Sequence, residues 1–184
     1  MNREEAFNLL KENLSNQNLI KHSLAVEAIM RVLARHFGKD QEKWALAGLL
    51  HDIDYDKVKN DLSQHSLVGA QMLEKLGLDK DICQAVKVHN EAHGIAPETI
   101  MEKALFVTDP LTGLIVAAAL VLPSKKLNDL IPENVLNRFK EKAFARGANR
   151  EIIKKCEDLL NLKLEEFVKV GLEAMQKNSQ ELGL

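Results

Sequence analysis

The chain has 184 residues, a length typical of one domain or of one domain with a helical extension. Its 25 lysines and arginines nearly balance 27 aspartates and glutamates, and a formal charge of -2 argues against a broad field that would attract nucleic acid or anionic lipid. The two cysteines, Cys83 and Cys156, lie among apolar residues at helical spacing, which argues against a disulfide framework.

Signals that direct a protein to a membrane are not recognisable. The first residues are charged and amphipathic without an apolar signal-peptide core, and the longest apolar run, Leu114 to Leu122, is too short to span a bilayer. We therefore expect a cytoplasmic protein, with neither a membrane nor a nucleic acid as its partner.

Apolar residues recur at helical spacing along most of the chain, while strand-like alternation is scarce. We predict an all-α fold with helices near residues 3–13, 17–37, 40–52, 64–76, 79–92, 97–121, 133–144, 149–161 and 163–177. The weakest boundary lies between Pro123 and Pro132. Residues 1–125 are therefore predicted to form a core that carries the functional site, and residues 126–184 to add C-terminal helices that pack on it.

Titratable residues interrupt apolar helix faces at five places, and the first two precede residue 60. His22 shares a helical stripe with Val26 and Ile29, which predicts that its imidazole points inward. His51 and Asp52 end the apolar run WALAGLL. Because that run is apolar all round, its helix should be buried and should carry both polar side chains into the interior.

The other three places follow in chain order. His65 lies on one helix face with Met72, and His89 shares a face with Val86, so both imidazoles should point inward. Asp109 follows the apolar stretch ALFV and precedes a proline. We expect its backbone to lie at a kink or break in a long helix, with its carboxylate facing a cavity.

The combination of these residues favours a metal site. A single buried histidine is more often hydrogen-bonded in a core, but the adjacent pair His51 and Asp52 supplies nitrogen and oxygen donors together. Such a mixed set suits Mn, Fe, Co, Ni or Zn better than Ca. Several inward-facing donors on separate helices are costly to bury unless they share a ligand. We therefore predict one or two divalent transition-metal ions.

The segments that carry these residues resemble the motifs of the HD-domain phosphohydrolases. His22, then LLHDID with His51 and Asp52, then TDPLTG with Asp109 follow the H…HD…D order of that family, over residues 18–125. The segments HSLVGAQML and VKVHNEAHG resemble the additional histidine motifs of its two-metal subgroup. That subgroup includes the cyclic-dinucleotide phosphodiesterases of the HD-GYP branch and certain dinucleoside polyphosphate hydrolases.

The resemblance implies a single HD-domain helical bundle with six metal ligands, which are His22, His51, Asp52, His65, His89 and Asp109. In that family pattern His65 and His89 hold a second ion, the other four hold the first, and Asp52 bridges the two. His51 and Asp52 are then the catalytic residues. Two departures, IDYD after the HD pair and Asn90 after His89, argue against cyclic-dinucleotide cleavage.

The reaction that the resemblance implies is hydrolysis of a phosphoester by a metal-activated hydroxide. The expected substrate is a nucleotide or another small phosphorylated metabolite. Candidate phosphate-binding cations are Lys57, Lys87, Lys125, Lys126 and Arg146. Carboxylates that would orient the ligand histidines are Asp54, Asp56 and Glu91.

Alternatives stay open at this point. One is a catalytically silent HD module that binds a ligand or a protein partner. Another is a mononuclear zinc hydrolase that uses His89 and His93, although HNEAH carries its glutamate one position late for an HExxH motif. His36 lies roughly 21 Å beyond His22 on a continuous helix and cannot join the same ion. The C-terminal helices could cover the site or a second copy of the chain, so a homodimer stays open, but we favour a helical extension of the core.

Overall fold

The computed structural model describes all 184 residues and contains helices but no strands. The α-helices, numbered in chain order, are α1 (Arg3–Asn13), α2 (Gln17–His36), α3 (Gln41–Leu50), α4 (Tyr55–Val58), α5 (Leu67–Lys75), α6 (Lys80–Val88), α7 (Ile100–Leu120), α8 (Pro132–Lys140), α9 (Arg150–Lys154), α10 (Cys156–Leu160), α11 (Leu164–Lys177) and α12 (Ser179–Leu182). Short 3₁₀ turns lie at Leu62–Gln64, Glu91–His93 and Leu127–Asp129. The predicted all-α fold is confirmed.

Most predicted helices appear within a few residues of their expected ends, with two instructive differences. The helix expected over 149–161 is divided into α9 and α10 at Lys155, where the backbone tightens and the N–H donates to Ile152. Of the kink or break expected at Pro110, the break is absent, because α7 continues through that residue. A proline inside a helix removes one backbone hydrogen bond, and here the buried packing of α7 compensates for the loss.

The helix α7 lies at the centre of the fold. It packs against α2, α3 and α6 on the N-terminal side and against α8, α9, α10 and α11 from the C-terminal side. One hydrophobic core extends from Ala6 in α1 to Leu182 in α12. The C-terminal helices therefore bury their apolar faces on the same core as the helices that carry the predicted site.

This central position also explains the composition of α7. By length and apolar content it is the one helix that passes as a candidate membrane span, but 61% of its most apolar window is buried inside the fold. Core helices of helical bundles are apolar for the same reason, since they are covered on all sides.

A close contact between α2 and α3 positions two of the predicted ligands, because His22 lies on α2 and His51 directly follows α3. Gly48 makes the contact. A Cβ atom at Gly48 would lie 3.0 Å from backbone atoms of Val26 and Glu27. A side chain there would force the two helices apart.

We expect Gly48→Ala to lower the free energy of unfolding by about 1–3 kcal/mol, the usual cost of overpacking a core. Urea denaturation measures it. Gly113→Ala is the matched control, because Gly113 lies inside α7 with no atom within 4 Å of the position that a Cβ would occupy. Alanine there should leave stability unchanged or raise it by about 0.5–1 kcal/mol. Equal stabilities of the two variants would contradict the packing argument.

Candidate metal centre

The six predicted metal ligands lie together in one cluster, brought there by five parts of the chain. His22 comes from α2, Asp109 from α7, and His65 from the turn before α5. His51 and His89 each occupy the C-cap position of a helix, α3 and α6 respectively. Asp52 follows His51 directly, and His51, Asp52 and His89 are at most 6% exposed.

The Asp52 carboxylate lies in the middle of the four imidazoles. Its Oδ1 atom is 3.2 Å from Nε2 of His65, 3.3 Å from Nε2 of His51 and 3.5 Å from Nε2 of His89. Its Oδ2 atom is 3.6 Å from Nε2 of His22. One carboxylate thus contacts all four rings, the position expected of a bridging ligand.

Asp109 completes the cluster on the side of His22. Its Oδ1 atom lies 3.0 Å from Nε2 of His22 and 3.9 Å from Nε2 of His51. The donor atoms form two compact groups, one of His22, His51 and Asp109, the other of His51, Asp52 and His89. Within each group all donor atoms lie within 4.8 Å of one another, so each is small enough to surround one ion.

Backbone carbonyls orient two of the imidazoles. The Nδ1 of His51 donates to the carbonyl of Gly48 at 2.8 Å, and the Nδ1 of His89 donates to the carbonyl of Val86 at 2.6 Å. Carbonyls in the last turn of a helix lack intrahelical partners, so a histidine at the C-cap position can bond three residues back. A carbonyl only accepts, and each ring must therefore carry its proton on Nδ1.

Side chains orient the other two imidazoles. The Nδ1 of His65 donates to Oδ1 of Asp54 at 2.8 Å. The Nδ1 of His22 lies 2.9 Å from the hydroxyl of Thr112, which itself donates to the carbonyl of Asp109 at 2.8 Å. Since that hydroxyl proton is used, Thr112 accepts from His22. All four rings therefore carry Nδ1 protons and turn Nε2 lone pairs inward when neutral.

This arrangement fits divalent metal ions. The Nε2 atoms of His22 and His51 are only 3.1 Å apart, and two lone pairs at that distance repel each other unless a proton or a metal ion lies between them. Metal-bound histidines usually donate their second nitrogen to a carbonyl, a carboxylate or another acceptor, as all four rings do here. Imidazoles combined with carboxylates suit transition metals.

The electrostatics of the cluster couple metal binding to proton release. Burial lowers the pKa of His51 to about 4, so this ring is neutral and ready to act as a ligand. Burial also opposes a charge on His65, but hydrogen bonds to Asp52 and Asp54 outweigh it and raise the pKa of His65 to about 10. A metal that binds Nε2 of His65 at neutral pH must therefore displace a proton.

Of the three candidate orienting carboxylates, Asp54 lies at the cluster. It is fully buried, and besides His65 it accepts the backbone N–H groups of Ser66 and Gly69 at 2.8 and 2.7 Å. Asp56 instead accepts from the backbone and hydroxyl of Ser15, away from the cluster. Glu91, the third candidate, accepts from the Asn149 amide and forms no hydrogen bond or ion pair with the four imidazoles.

The remaining candidates lie elsewhere. His36 is exposed at the end of α2, and His93 donates from Nε2 to the carbonyl of His65 at 2.6 Å. Neither belongs to a ligand group, so the geometry gives no support to the mononuclear site of His89 and His93. None of the candidate phosphate-binding cations lines the opening through which the cluster is reached. These cations are Lys57, Lys87, Lys125, Lys126 and Arg146.

A cleft of about 190 Å³ opens onto the cluster. One wall includes His65, His89 and Asp109. The opposite wall comes from the C-terminal part of the chain and includes Gly147 and Asn149. A substrate in this cleft would therefore reach the ligand cluster between the two parts of the chain.

A helical bundle that gathers four imidazoles and two carboxylates into one cluster beside a cleft has the donor set of a metal-binding helical protein. Residues 19–120 match the HD domain family, and the chain belongs to this family. It is thus a member of the metal-dependent phosphohydrolase superfamily, as the sequence resemblance predicted.

Known relatives agree with this assignment. Ribonuclease Y of Nitratidesulfovibrio vulgaris is 34% identical over 142 residues, which cover 74% of this chain and 27% of that protein. Ribonuclease Y of Lawsonia intracellularis is 33% identical over 74% of this chain and 26% of its own length. The chain thus spans about a quarter of these ribonucleases.

A relative of similar length also matches. An uncharacterized protein of Methanocaldococcus jannaschii is 31% identical over 180 residues, which cover 92% of this chain and 100% of that protein. No solved structure matches the chain.

Proposed function

We propose that this protein hydrolyses a phosphoester of a small phosphorylated metabolite, such as a nucleotide, with divalent transition metals held by the six clustered side chains. The observation that carries the proposal is the orientation of the four imidazoles. Each has its Nδ1 bonded to an acceptor and its Nε2 directed at Asp52, beside a cleft. This arrangement supports a metal centre open to substrate on one side.

Bound divalent ions lower the pKa of water towards 7 and neutralise charge on phosphoryl oxygens. The ligand residues have different proposed roles. His51 is fully buried and would act only as a ligand, whereas Asp109 is 33% exposed at its side chain and faces the cleft. Asp52 supplies the negative charge that lets four neutral imidazoles hold dipositive ions, and we propose it as the bridging ligand.

Cleavage of RNA is the second candidate, favoured by the ribonuclease Y relatives. Two observations favour a small substrate instead. The cleft measures only about 190 Å³, and no lysine or arginine lines it. Proteins that bind nucleic acid neutralise backbone phosphates with lysine and arginine, and the formal charge of this chain is -2.

The test combines metal analysis with a substrate panel. The protein is purified without added metal, its metal content is measured, and phosphomonoesters, nucleotides and an RNA oligonucleotide are assayed with Mn, Fe, Co and Ni. We expect bound transition metal and turnover of a small phosphoester. Turnover of RNA alone would favour the second candidate. Bound metal without turnover of any substrate would favour a silent HD module.

A further inference from the structure

Two cavities flank the candidate metal centre, and they offer different places for a substrate. One is the cleft described above, of about 190 Å³. The other is a groove of about 470 Å³ between α2 and α7, lined by Lys21, His22, Thr112 and Gly113 among others. We infer, on the basis of the proposed function, that the organic group of the substrate lies in the cleft against Gly147, and that the missing side chain at Gly147 provides space for this group.

The orientation of His22 argues against the groove. His22 is the one member of the cluster that lines the groove, and it does so together with Thr112. Thr112 holds Nδ1 of His22, the nitrogen on the side of the ring opposite to the cluster. The groove therefore lies behind the His22 ring. The cleft, in contrast, is lined by His65, His89 and Asp109.

The cleft wall that contains Gly147 is held in place by two sets of hydrogen bonds. The Arg150 guanidinium donates to the carbonyls of Phe144, Ala145 and Ala148, which closes the loop on itself. Across the cleft rim, the Asn149 amide donates to both carboxylate oxygens of Glu91 at 2.9 and 3.1 Å. The loop therefore forms a fixed wall, attached at Glu91 to the part of the chain that carries the metal ligands.

Gly147 itself leaves room in this wall. No atom lies within 4 Å of the position that its Cβ would occupy, and its backbone φ lies outside the left-handed region. Its backbone N–H makes no hydrogen bond within the chain. A side chain at this position would project into space without disturbing the fold. Residues 141–149 also lie outside the HD-domain match, so this wall is an addition to the matched domain.

The lining of the cleft indicates the chemistry of the group that fits there. Phe106, Pro110 and Ile152 supply apolar surface, Glu91 supplies a carboxylate, and no lysine or arginine is present. A second phosphate would meet that carboxylate without a compensating lysine or arginine. The organic group is therefore small, uncharged and partly apolar, and the substrate carries a single phosphoryl group.

Phosphonates test this inference without depending on hydrolysis, because their C–P bond is not cleaved as a phosphoester is. Phenylphosphonate carries a small apolar group, and methylphosphonate carries almost none. Binding of both to metal-loaded protein is measured by calorimetry in the wild type, in Gly147→Ala and Gly147→Leu, and in the control Gly113→Leu. Gly113 lines the groove and, like Gly147, has no atom within 4 Å of its Cβ position.

We expect Gly147→Leu to weaken phenylphosphonate binding on the order of tenfold, with a smaller effect of Gly147→Ala, as steric exclusion from a pocket does. Methylphosphonate affinity, metal content and thermal midpoint should stay at wild-type values. Equal phenylphosphonate affinity in Gly147→Leu and the wild type would overturn the inference, as would a loss confined to Gly113→Leu. Neither result would bear on the proposed function, which the hydrolysis panel tests separately.

Discussion

Replacement of Asp52 by alanine is expected to abolish metal binding and hydrolysis together. The Asp52 carboxylate contacts the inward nitrogens of all four imidazoles, and it is 6% exposed. Without the Asp52 carboxylate, Asp109 is the one carboxylate that remains in the ligand set to balance the charge of dipositive ions. Removing a residue that only orients a metal ligand typically lowers metal affinity or activity 10- to 100-fold. Removing the ligand itself should have a larger effect, so we expect activity to fall by more than about 100-fold.

Two companion variants make the Asp52 experiment specific. Asp56→Ala removes a nearby carboxylate that bonds Ser15 and does not contact the cluster, so it should retain wild-type metal content and turnover. Asp52→Asn keeps the shape of the side chain but removes its charge, and it should lose metal as the alanine variant does. Elemental analysis and a phosphatase assay give the readouts. Wild-type turnover in Asp52→Ala would refute the proposed mechanism.

The six clustered residues could be singled out because each interrupts or directly borders an apolar run at helical spacing, although only His22 and Asp109 lie inside helices in the structure, and His65 precedes the helix on whose face it was expected. Periodicity places a polar residue on the inward side of its own helix, and this is a local property of the sequence. Convergence of those residues on one point is not local. It was predicted indirectly, from the cost of burying several unpartnered donors and from the resemblance to a family, and the structure adds the distances.

The orienting partners were less accessible to sequence analysis. Asp54 could be named only as one of three carboxylates, because its contact with His65 depends on the turn at Ser66, which has a positive φ. Thr112 was missed, although it follows Asp109 by three residues and so lies on the same face of α7. The backbone carbonyls that accept from the imidazoles cannot be recognised from any pattern of side chains. The only related feature of the sequence is that His51 and His89 lie at helix ends.

The far wall of the cleft illustrates a second limit. Asn149 contacts Glu91 across 58 positions of sequence, and Asn149 belongs to no motif that would indicate this contact. From the sequence, a core extension by the C-terminal helices is favoured over a role in covering the site. The structure shows that one segment does both, since Ile152 lines the cleft while Ile153 is fully buried.

The protein should bind two metal ions per chain at neutral pH when metal is in excess, and about one in His65→Ala or His89→Ala. Both histidines direct Nε2 at Oδ1 of Asp52, at 3.2 and 3.5 Å, and neither lies in the ligand group of His22, His51 and Asp109. Removing either should therefore empty one position while His22, His51 and Asp109 retain an ion at the other.

The competing interpretation of the same geometry is a single ion, with His65 and His89 binding the substrate phosphate. Protonation separates the two, because a ligand imidazole must be neutral whereas a phosphate-binding imidazole works better when charged. Since the pKa of metal-free His65 is raised to about 10, binding of the second ion should release a proton that calorimetry in buffers of different ionisation enthalpy detects. The control is His36→Ala, an exposed histidine outside the cluster that should leave the stoichiometry at two. One ion in the wild type, held equally tightly in the His65 and His89 variants, would leave only the single-ion interpretation.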